Sequence, residues 1–271
     1  MREPEGQGGA GGDDHVRVDS LSVFYGDREV LRDVAFSARP GEILVIMGRS
    51  GCGKTTLLKS MIGLLRPAVG SVEVLGQDLS RMDEDALDEF RERIGMLFQF
   101  GALINSFTVG ENILLPLRRR GFADERTARA VARLKLSMVG LSDVFDLYPS
   151  QLSGGMKKRA GFARALILDP EIVFCDEPTS GLDPNTAADM DQLVLSLKRI
   201  LGTTMVVVTH DLASAFTIAD RIIMMHDGEI VAEGTPEQLR GLADPVVRGF
   251  IDRESSCQGA GASAGGVDFF V

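Results

Sequence analysis

The stretch that decides the fold is Ile43-Leu44-Val45-Ile46-Met47-Gly48-Arg49-Ser50-Gly51-Cys52-Gly53-Lys54-Thr55. Its first five residues are all apolar, which predicts a β-strand covered on both faces. The other eight match G-x-x-x-x-G-K-[ST], whose glycines let backbone N–H groups curl around phosphate oxygens at the start of a helix. The stretch therefore predicts a buried strand, a phosphate-binding loop and a helix in succession.

The chemistry of this loop predicts a nucleotide and a metal ion. Lys54 should reach the β- and γ-phosphates, and Thr55 should ligate Mg²⁺. We therefore expect ATP and Mg²⁺ as cofactors, and we define residues 48–56 as the phosphate loop. Its predicted contacts are Gly48, Arg49, Ser50, Gly51, Cys52, Gly53, Lys54, Thr55 and Thr56.

A second apolar run, Ile172-Val173-Phe174-Cys175, ends in two acids, Asp176 and Glu177. Asp176 should hold Mg²⁺ through water or Thr55, and Glu177 should orient and polarise an attacking water. Alone, the run could equally be a strand that ends in a solvated acidic turn. Together with the phosphate loop, it predicts the second half of a nucleotide-hydrolysing site.

The body of the chain, residues 15–253, alternates predicted strands with predicted helices, which indicates one α/β domain with a parallel sheet. Helices are expected at about 53–64, 124–139, 153–168 and 185–200, and residues 100–168 form a mostly helical insertion. The tails, 1–14 and 254–271, are rich in small residues. We expect the first to be disordered and the second to be flexible.

Composition excludes several classes of protein. The net charge of −10 over 271 residues argues against a nucleic-acid partner, because such binding depends on clustered Lys and Arg. The cysteines, Cys52, Cys175 and Cys257, suit neither a disulfide framework nor a zinc site, which favours a reducing cytoplasm. No apolar run approaches the ~18 residues of a spanning helix, so membrane association should come through a partner.

The run Leu152-Ser153-Gly154-Gly155-Met156 separates the chain from other phosphate-loop proteins. Ser153 should cap a helix. Gly154 and Gly155 should leave backbone N–H groups exposed, which would form a second anion-binding site. With this L-S-G-G signature, residues 15–250 resemble the ABC ATPase family. The resemblance implies a RecA-like core with antiparallel β and helical subdomains, and a head-to-tail homodimer in which the signature binds the partner's γ-phosphate.

The same resemblance assigns four further residues. Tyr25, or alternatively Phe24, resembles the aromatic residue that stacks on adenine. Gln99 is similar to the glutamine that touches Mg²⁺ and the attacking water while its loop senses a membrane permease. The run Ser180-Gly181-Leu182-Asp183 resembles the loop that crosses the dimer seam, and Asp183 is its assigned residue. His210 resembles the switch histidine that contacts the γ-phosphate.

Three features are similar to the Mla/Mce branch of the family. They are Met156, the Gln99 loop Phe98-Gln99-Phe100-Gly101-Ala102-Leu103, and the run Thr108-Val109-Gly110-Glu111-Asn112-Ile113 with Leu115-Pro116-Leu117. The resemblance implies phospholipid transport between membranes, with a permease and, through it, an Mce-type lipid-binding protein as partners. It also implies a peripheral location on the cytoplasmic face of the inner membrane.

Other functions remain open at this stage. One is an ABC importer ATPase for another solute, and another is a nontransport ABC protein that remodels ribosomes or DNA. The latter usually has two fused ABC domains or a long coiled coil, which one acidic domain does not match. Finally, Phe100, Leu103, Ile104 and Phe107 predict a permease dock, unless they pack under the helical insertion of their own chain.

Overall fold

The computed structural model describes residues 14–122, 124–245 and 247–250, so almost all of both predicted tails lies outside the described residues. The strands are β1 (Val16–Tyr25), β2 (Arg28–Ala38), β3 (Ile43–Gly48), β4 (Val69–Val74), β5 (Gln77–Asp78), β6 (Ile94–Leu97), β7 (Ile172–Asp176), β8 (Thr204–Thr209), β9 (Arg221–His226) and β10 (Glu229–Gly234). The α-helices are α1 (Lys54–Met61), α2 (Glu84–Arg91), α3 (Val109–Arg119), α4 (Glu125–Met138), α5 (Gly154–Ala165), α6 (Pro184–Leu201), α7 (Leu212–Ile218) and α8 (Pro236–Gly241).

The larger sheet has six strands in the order β10-β9-β3-β8-β7-β6. Its neighbours pair in parallel except at the β9–β10 edge. Every residue of β3 and β8 is buried, because helices or the second sheet cover both faces. The predicted α/β fold with a parallel sheet is confirmed.

The smaller sheet is antiparallel, with the strand order β2-β1-β4-β5. Its apolar side chains share one core with α1 and with Leu44 and Ile46 of β3. Ile43, Val45 and Met47 belong to the second core, which includes apolar residues of α3, α4 and α5. Successive side chains of a strand point to opposite faces, so the continuous apolar run of β3 serves two cores at once.

The segment between β6 and β7 holds α3, α4 and α5, as the predicted helical insertion requires. Buried Asn112 of α3 fixes the loop that precedes this helix. Its Nδ2 donates to the carbonyls of Ile104 (3.0 Å) and Thr108 (2.9 Å), and its Oδ1 accepts from the Ile104 N–H (2.7 Å). Among the described helices, none combines the length and the apolar character needed to cross a membrane.

A nearly buried ion pair ties the two sheets together. Arg221 of β9 binds Glu42 through Nε (2.7 Å) and Nη2 (3.1 Å), and it also donates to the Ser37 carbonyl of β2 and to Glu233 of β10. The Glu42 side chain is 9 % exposed and that of Arg221 is 16 % exposed. Removing one member of such a pair leaves the other as a poorly compensated charge away from water.

We expect Glu42→Leu to lower the free energy of unfolding by about 3 kcal/mol, the lower end of the range for breaking a buried pair, because Glu233 still faces Arg221. Urea unfolding of the purified chain measures the loss. Glu229→Leu, which removes the exposed partner of Arg32, is the control and should cost much less. Equal losses in the two variants would contradict a structural role for the Arg221 pair.

Candidate functional site

A cavity of about 570 Å³ lies where the carboxyl ends of β3, β6, β7 and β8 meet. Parallel strands bring their carboxyl ends to one edge of a sheet, and residues that follow those ends can therefore share a site. The residues that line the cavity are Val30, Gly48, Arg49, Ser50, Gly51, Gly53, Lys54, Thr55, Thr56, Gln99, Asp176, Glu177, His210 and Phe250. Most of the predicted site residues are thus brought together.

The glycines of the phosphate loop meet two different requirements. Gly51 and Gly53 have φ angles of 82° and 105°, a region that side-chain-bearing residues rarely adopt. Gly48 permits close packing, since a Cβ there would lie 2.4 Å from the carbonyl oxygen of Met225. The loop can therefore turn its backbone N–H groups into the cavity at the N-terminus of α1, which forms a cradle for phosphate.

Lys54 is the cation of this cradle and is only 7 % exposed. Its Nζ donates to the carbonyls of Gly48 (2.7 Å) and Arg49 (3.0 Å), so the side chain folds back over the loop. Cys52, also predicted to belong to the set, is buried and is not among the described residues that line the cavity. Burial raises the pKa of its thiol.

Asp176, at the end of β7, is suited to a divalent cation. Burial and the neighbouring Glu177 carboxylate raise its pKa, while the ammonium groups of Lys54 and Lys59 oppose the change. Two partly buried carboxylates side by side are costly unless positive charge compensates them. Thr55 and Gln99 line the same cavity, so the oxygen donors that Mg²⁺ prefers are present together.

Glu177 occupies a strained backbone position. Its φ angle is +50°, uncommon for a residue other than glycine, and its N–H donates to the Val208 carbonyl at 2.8 Å. The carboxylate Oε1 lies 2.7 Å from Nδ1 of His210, and the Glu177 side chain is only 12 % exposed. The neighbouring strands β7 and β8 thus present an oriented carboxylate to the cavity.

Sequence reasoning missed three residues of this region. Val30 and Phe250 line the cavity, although no motif includes them. Lys158 of α5 packs against the turn of residues 177–180, which we call the Glu177 turn, and its Nζ donates to the Glu177 carbonyl at 2.9 Å. In sequence it belongs to Lys157-Lys158-Arg159, a basic run that is typical of a solvated helix face, so its burial had no local signal.

The L-S-G-G signature lies outside the cavity. Ser153 caps α5 and accepts a hydrogen bond from the Met156 N–H at 3.3 Å, as predicted for a helix start. Ser153, Gly154, Gly155 and Asp183 are not among the described residues that line the cavity, and of these only Gly155 is buried. Asp183 instead caps α6.

Tyr25, at the end of β1, also lies outside the described cavity lining, and its side chain is half exposed. Its predicted contact with adenine stays a prediction. The ring is accessible to a ligand that extends beyond the phosphate loop, whereas Val30 and Phe250 already face the cavity itself.

The Gln99 loop, residues 98–103, is fixed on one side and open on the other. Arg164 of α5 donates to the carbonyls of Gly101 (3.0 Å) and Ala102 (2.6 Å). Phe100 is 81 % exposed, and Ile104 beyond the loop is 43 % exposed. Leu103, by contrast, packs against the core of its own chain, which is the alternative that the sequence left open for this residue.

Comparison with known proteins gives matches along most of the chain. A family model described as "ABC transporter" matches residues 31–180. The probable ribonucleotide transport ATP-binding protein mkl of Mycobacterium tuberculosis is 40 % identical over 88 % of this chain, which spans 66 % of that protein. The intermembrane phospholipid transport system ATP-binding protein MlaF of Haemophilus influenzae is 40 % identical over 89 % of this chain and 91 % of its own length.

Among solved structures, a dimeric ATP-binding cassette in a post-hydrolysis state, bound to ADP and Pi, superposes with a TM-score of 0.75. It is 35 % identical, and the match covers 82 % of this chain and 98 % of the cassette.

Proposed function

The chain belongs to the ABC transporter family, and on that premise we propose that it is an ATP-hydrolysing subunit that powers phospholipid transport through a membrane permease. The observation that carries the proposal is the convergence of the phosphate loop, Asp176 and the Glu177–His210 pair on one cavity. An intact phosphate cradle beside an oriented carboxylate is the arrangement that nucleotide hydrolysis requires.

Binding of ATP would use the groups that already face the cavity. The N–H groups of the phosphate loop and the α1 N-terminus would receive the phosphates, and Lys54 would exchange its two carbonyl acceptors for phosphate oxygens. Thr55, Gln99 and Asp176 would hold Mg²⁺. When bound, the ion would neutralise phosphate charge and keep the triphosphate oriented.

Glu177 would act as the general base. His210 holds Oε1 of its carboxylate, and Thr209 Oγ1 lies 3.4 Å from Oε2, so the group is restrained before any water arrives. A restrained carboxylate can orient a water molecule toward the γ-phosphate and accept its proton. His210, whose side chain is 56 % exposed, would also contact the γ-phosphate.

We further propose that the active unit is a homodimer. Ser153, Gly154 and Gly155 lie outside the cavity of their own chain, and the N-terminus of α5 would serve as a second anion site. A second copy, placed head to tail, would add this site to the phosphate loop of the first. Asp183 would then lie near the seam, and Tyr25 would stack on adenine.

Phospholipid is the proposed cargo because the match to MlaF covers 91 % of that protein. Met156 and the Gln99 loop support the same branch. The proposed partners are a permease and, through it, an Mce-type lipid-binding protein, with the chain held at the cytoplasmic face of the inner membrane. A second candidate is transport of another solute, favoured by the name of the mycobacterial relative.

The proposed permease dock consists of Phe100, Ile104 and Phe107, which are 81, 43 and 36 % exposed. Three exposed, large apolar side chains within eight residues of sequence are typical of a surface that a partner covers. They follow Gln99, which lines the cavity, so a partner seated there would lie near the nucleotide.

Glu177→Gln should retain ATP binding and slow hydrolysis by about 10²-fold or more, the usual contribution of a general base. The amide keeps the shape of the side chain but cannot accept the proton. Phosphate release under saturating ATP measures the effect. Glu171→Gln is the control. It changes an exposed residue directly before β7 and should leave the rate unchanged. Near-normal hydrolysis by Glu177→Gln would refute the assignment.

Phe100→Glu should leave the melting temperature and ATP affinity of the isolated subunit nearly unchanged, because the side chain is mostly exposed. It should nevertheless abolish co-purification with the permease, since a charge would be buried at the interface. Ile200→Glu, an exposed change on α6, is the control and should retain the permease. A folded Phe100→Glu subunit that still binds the permease would remove this residue from the dock.

A further inference from the structure

The ammonium of Lys158 is buried against the Glu177 turn, residues 177–180. The residue is 5 % exposed, and its Nζ donates to the Glu177 carbonyl (2.9 Å) and to Ser180 Oγ (3.2 Å). The Ser180 hydroxyl donates to the same carbonyl at 3.1 Å. Two side-chain donors and the Ser180 N–H (3.3 Å) therefore converge on the carbonyl of Glu177, the residue whose carboxylate faces the cavity.

Keeping a cation in this position is costly. Burial lowers the pKa of Lys158 to about 8, and the charges of Glu177 and Asp176 only partly oppose this change. The hydrogen bonds of Lys158 to the Glu177 carbonyl and to Ser180 offset part of this cost, and an apolar side chain of similar size could not make them. The element that these bonds fix is the turn of residues 177–180, whose first residue, Glu177, has the strained φ angle of +50°.

The helix that carries Lys158 also contacts the Gln99 loop. Arg164 binds the carbonyls of Gly101 and Ala102, and a Cβ on Gly161 would lie 3.0 Å from the Gly101 Cα. Lys158 and Arg164 are six residues apart, or about 9 Å along a rigid helix. One helix, α5, thus holds both the loop beside the proposed dock and the Glu177 turn.

We propose that Lys158 is a positioning residue for ATP hydrolysis. Its ammonium ties α5 to the Glu177 carbonyl and so holds the Glu177 carboxylate in the orientation that activates water. The inference rests on the proposed function, because it assumes that Glu177 is the general base. Lys158 itself touches neither the nucleotide cradle nor the reacting atoms.

The test compares three variants of the full chain. Lys158→Met keeps the length of the side chain but removes its donors, Lys158→Arg keeps a charged donor, and Lys157→Met removes the neighbouring charge as a control. Lys158→Met should lower kcat by about 10- to 10²-fold, the scale of a misplacement of about 1 Å, with KM for ATP unchanged. Lys158→Arg should recover most of kcat, and Lys157→Met should retain it.

Melting temperature and binding of a fluorescent ATP analogue establish that each variant is folded. If Lys158→Met does not fold, Lys158→Gln replaces it, and its single amide donor should give an intermediate kcat. Normal kcat in folded Lys158→Met would overturn the inference, as would equal losses in the Met and Arg variants, which would indicate packing alone. Glu177→Gln is measured in parallel. Normal hydrolysis by that variant would contradict the proposed function itself, whereas slow hydrolysis by Glu177→Gln with a normal kcat for Lys158→Met would contradict only the role of Lys158.

Discussion

The structure depends on the burial of β3 between two cores. Its alternating side chains enter both, and its parallel pairing with β8 and β9 sets the edge at which the phosphate loop begins. The register β3–β8–β7 then aligns Met47 with Thr209 and Asp176 with Val208. Because these strands end together, Glu177 and His210 meet beside the loop, and a shift of one residue would separate them.

Charge in the site is arranged around two adjacent carboxylates. Burial raises the pKa of Asp176 and lowers that of Lys158, so both groups are less stable in their charged forms than they would be in water. Such pKa shifts are typical of functional sites, where a bound ligand can supply the opposite charge that the protein itself lacks. In this protein Lys54 and the proposed Mg²⁺ would offset the negative charge of the two carboxylates from within the cavity. Lys158 offsets it from α5, outside the described cavity lining.

The sequence was sufficient where chemistry is local. The phosphate loop, the acids at the end of β7 and the cap at Ser153 are each specified by a few adjacent residues. The acids and all loop residues except Cys52 line the cavity, and Ser153 caps α5. The sequence was insufficient where a residue's position depends on packing against distant parts of the chain. No nearby residue indicates that Lys158 is buried under Glu177, that Phe250 reaches the cavity, or that Leu103 packs inward while Phe100 stays exposed. Strand β9 is not among the predicted strands, although its Ile222-Ile223-Met224-Met225 run is buried like the apolar runs of β7 and β8.

The proposed homodimer combines the phosphate loop of one chain and the signature of the other in one active site. Its most direct test mixes Lys54→Ala chains with Ser153→Arg chains and measures ATP hydrolysis. Each variant alone should be nearly inactive, because both sites of its homodimer are damaged. A mixed dimer keeps one site whose Lys54 and Ser153 are both intact, so the mixture should hydrolyse ATP well above the sum of its parts. A mixture that forms dimers and gains no activity, or a monomer that hydrolyses at the full rate, would contradict this arrangement.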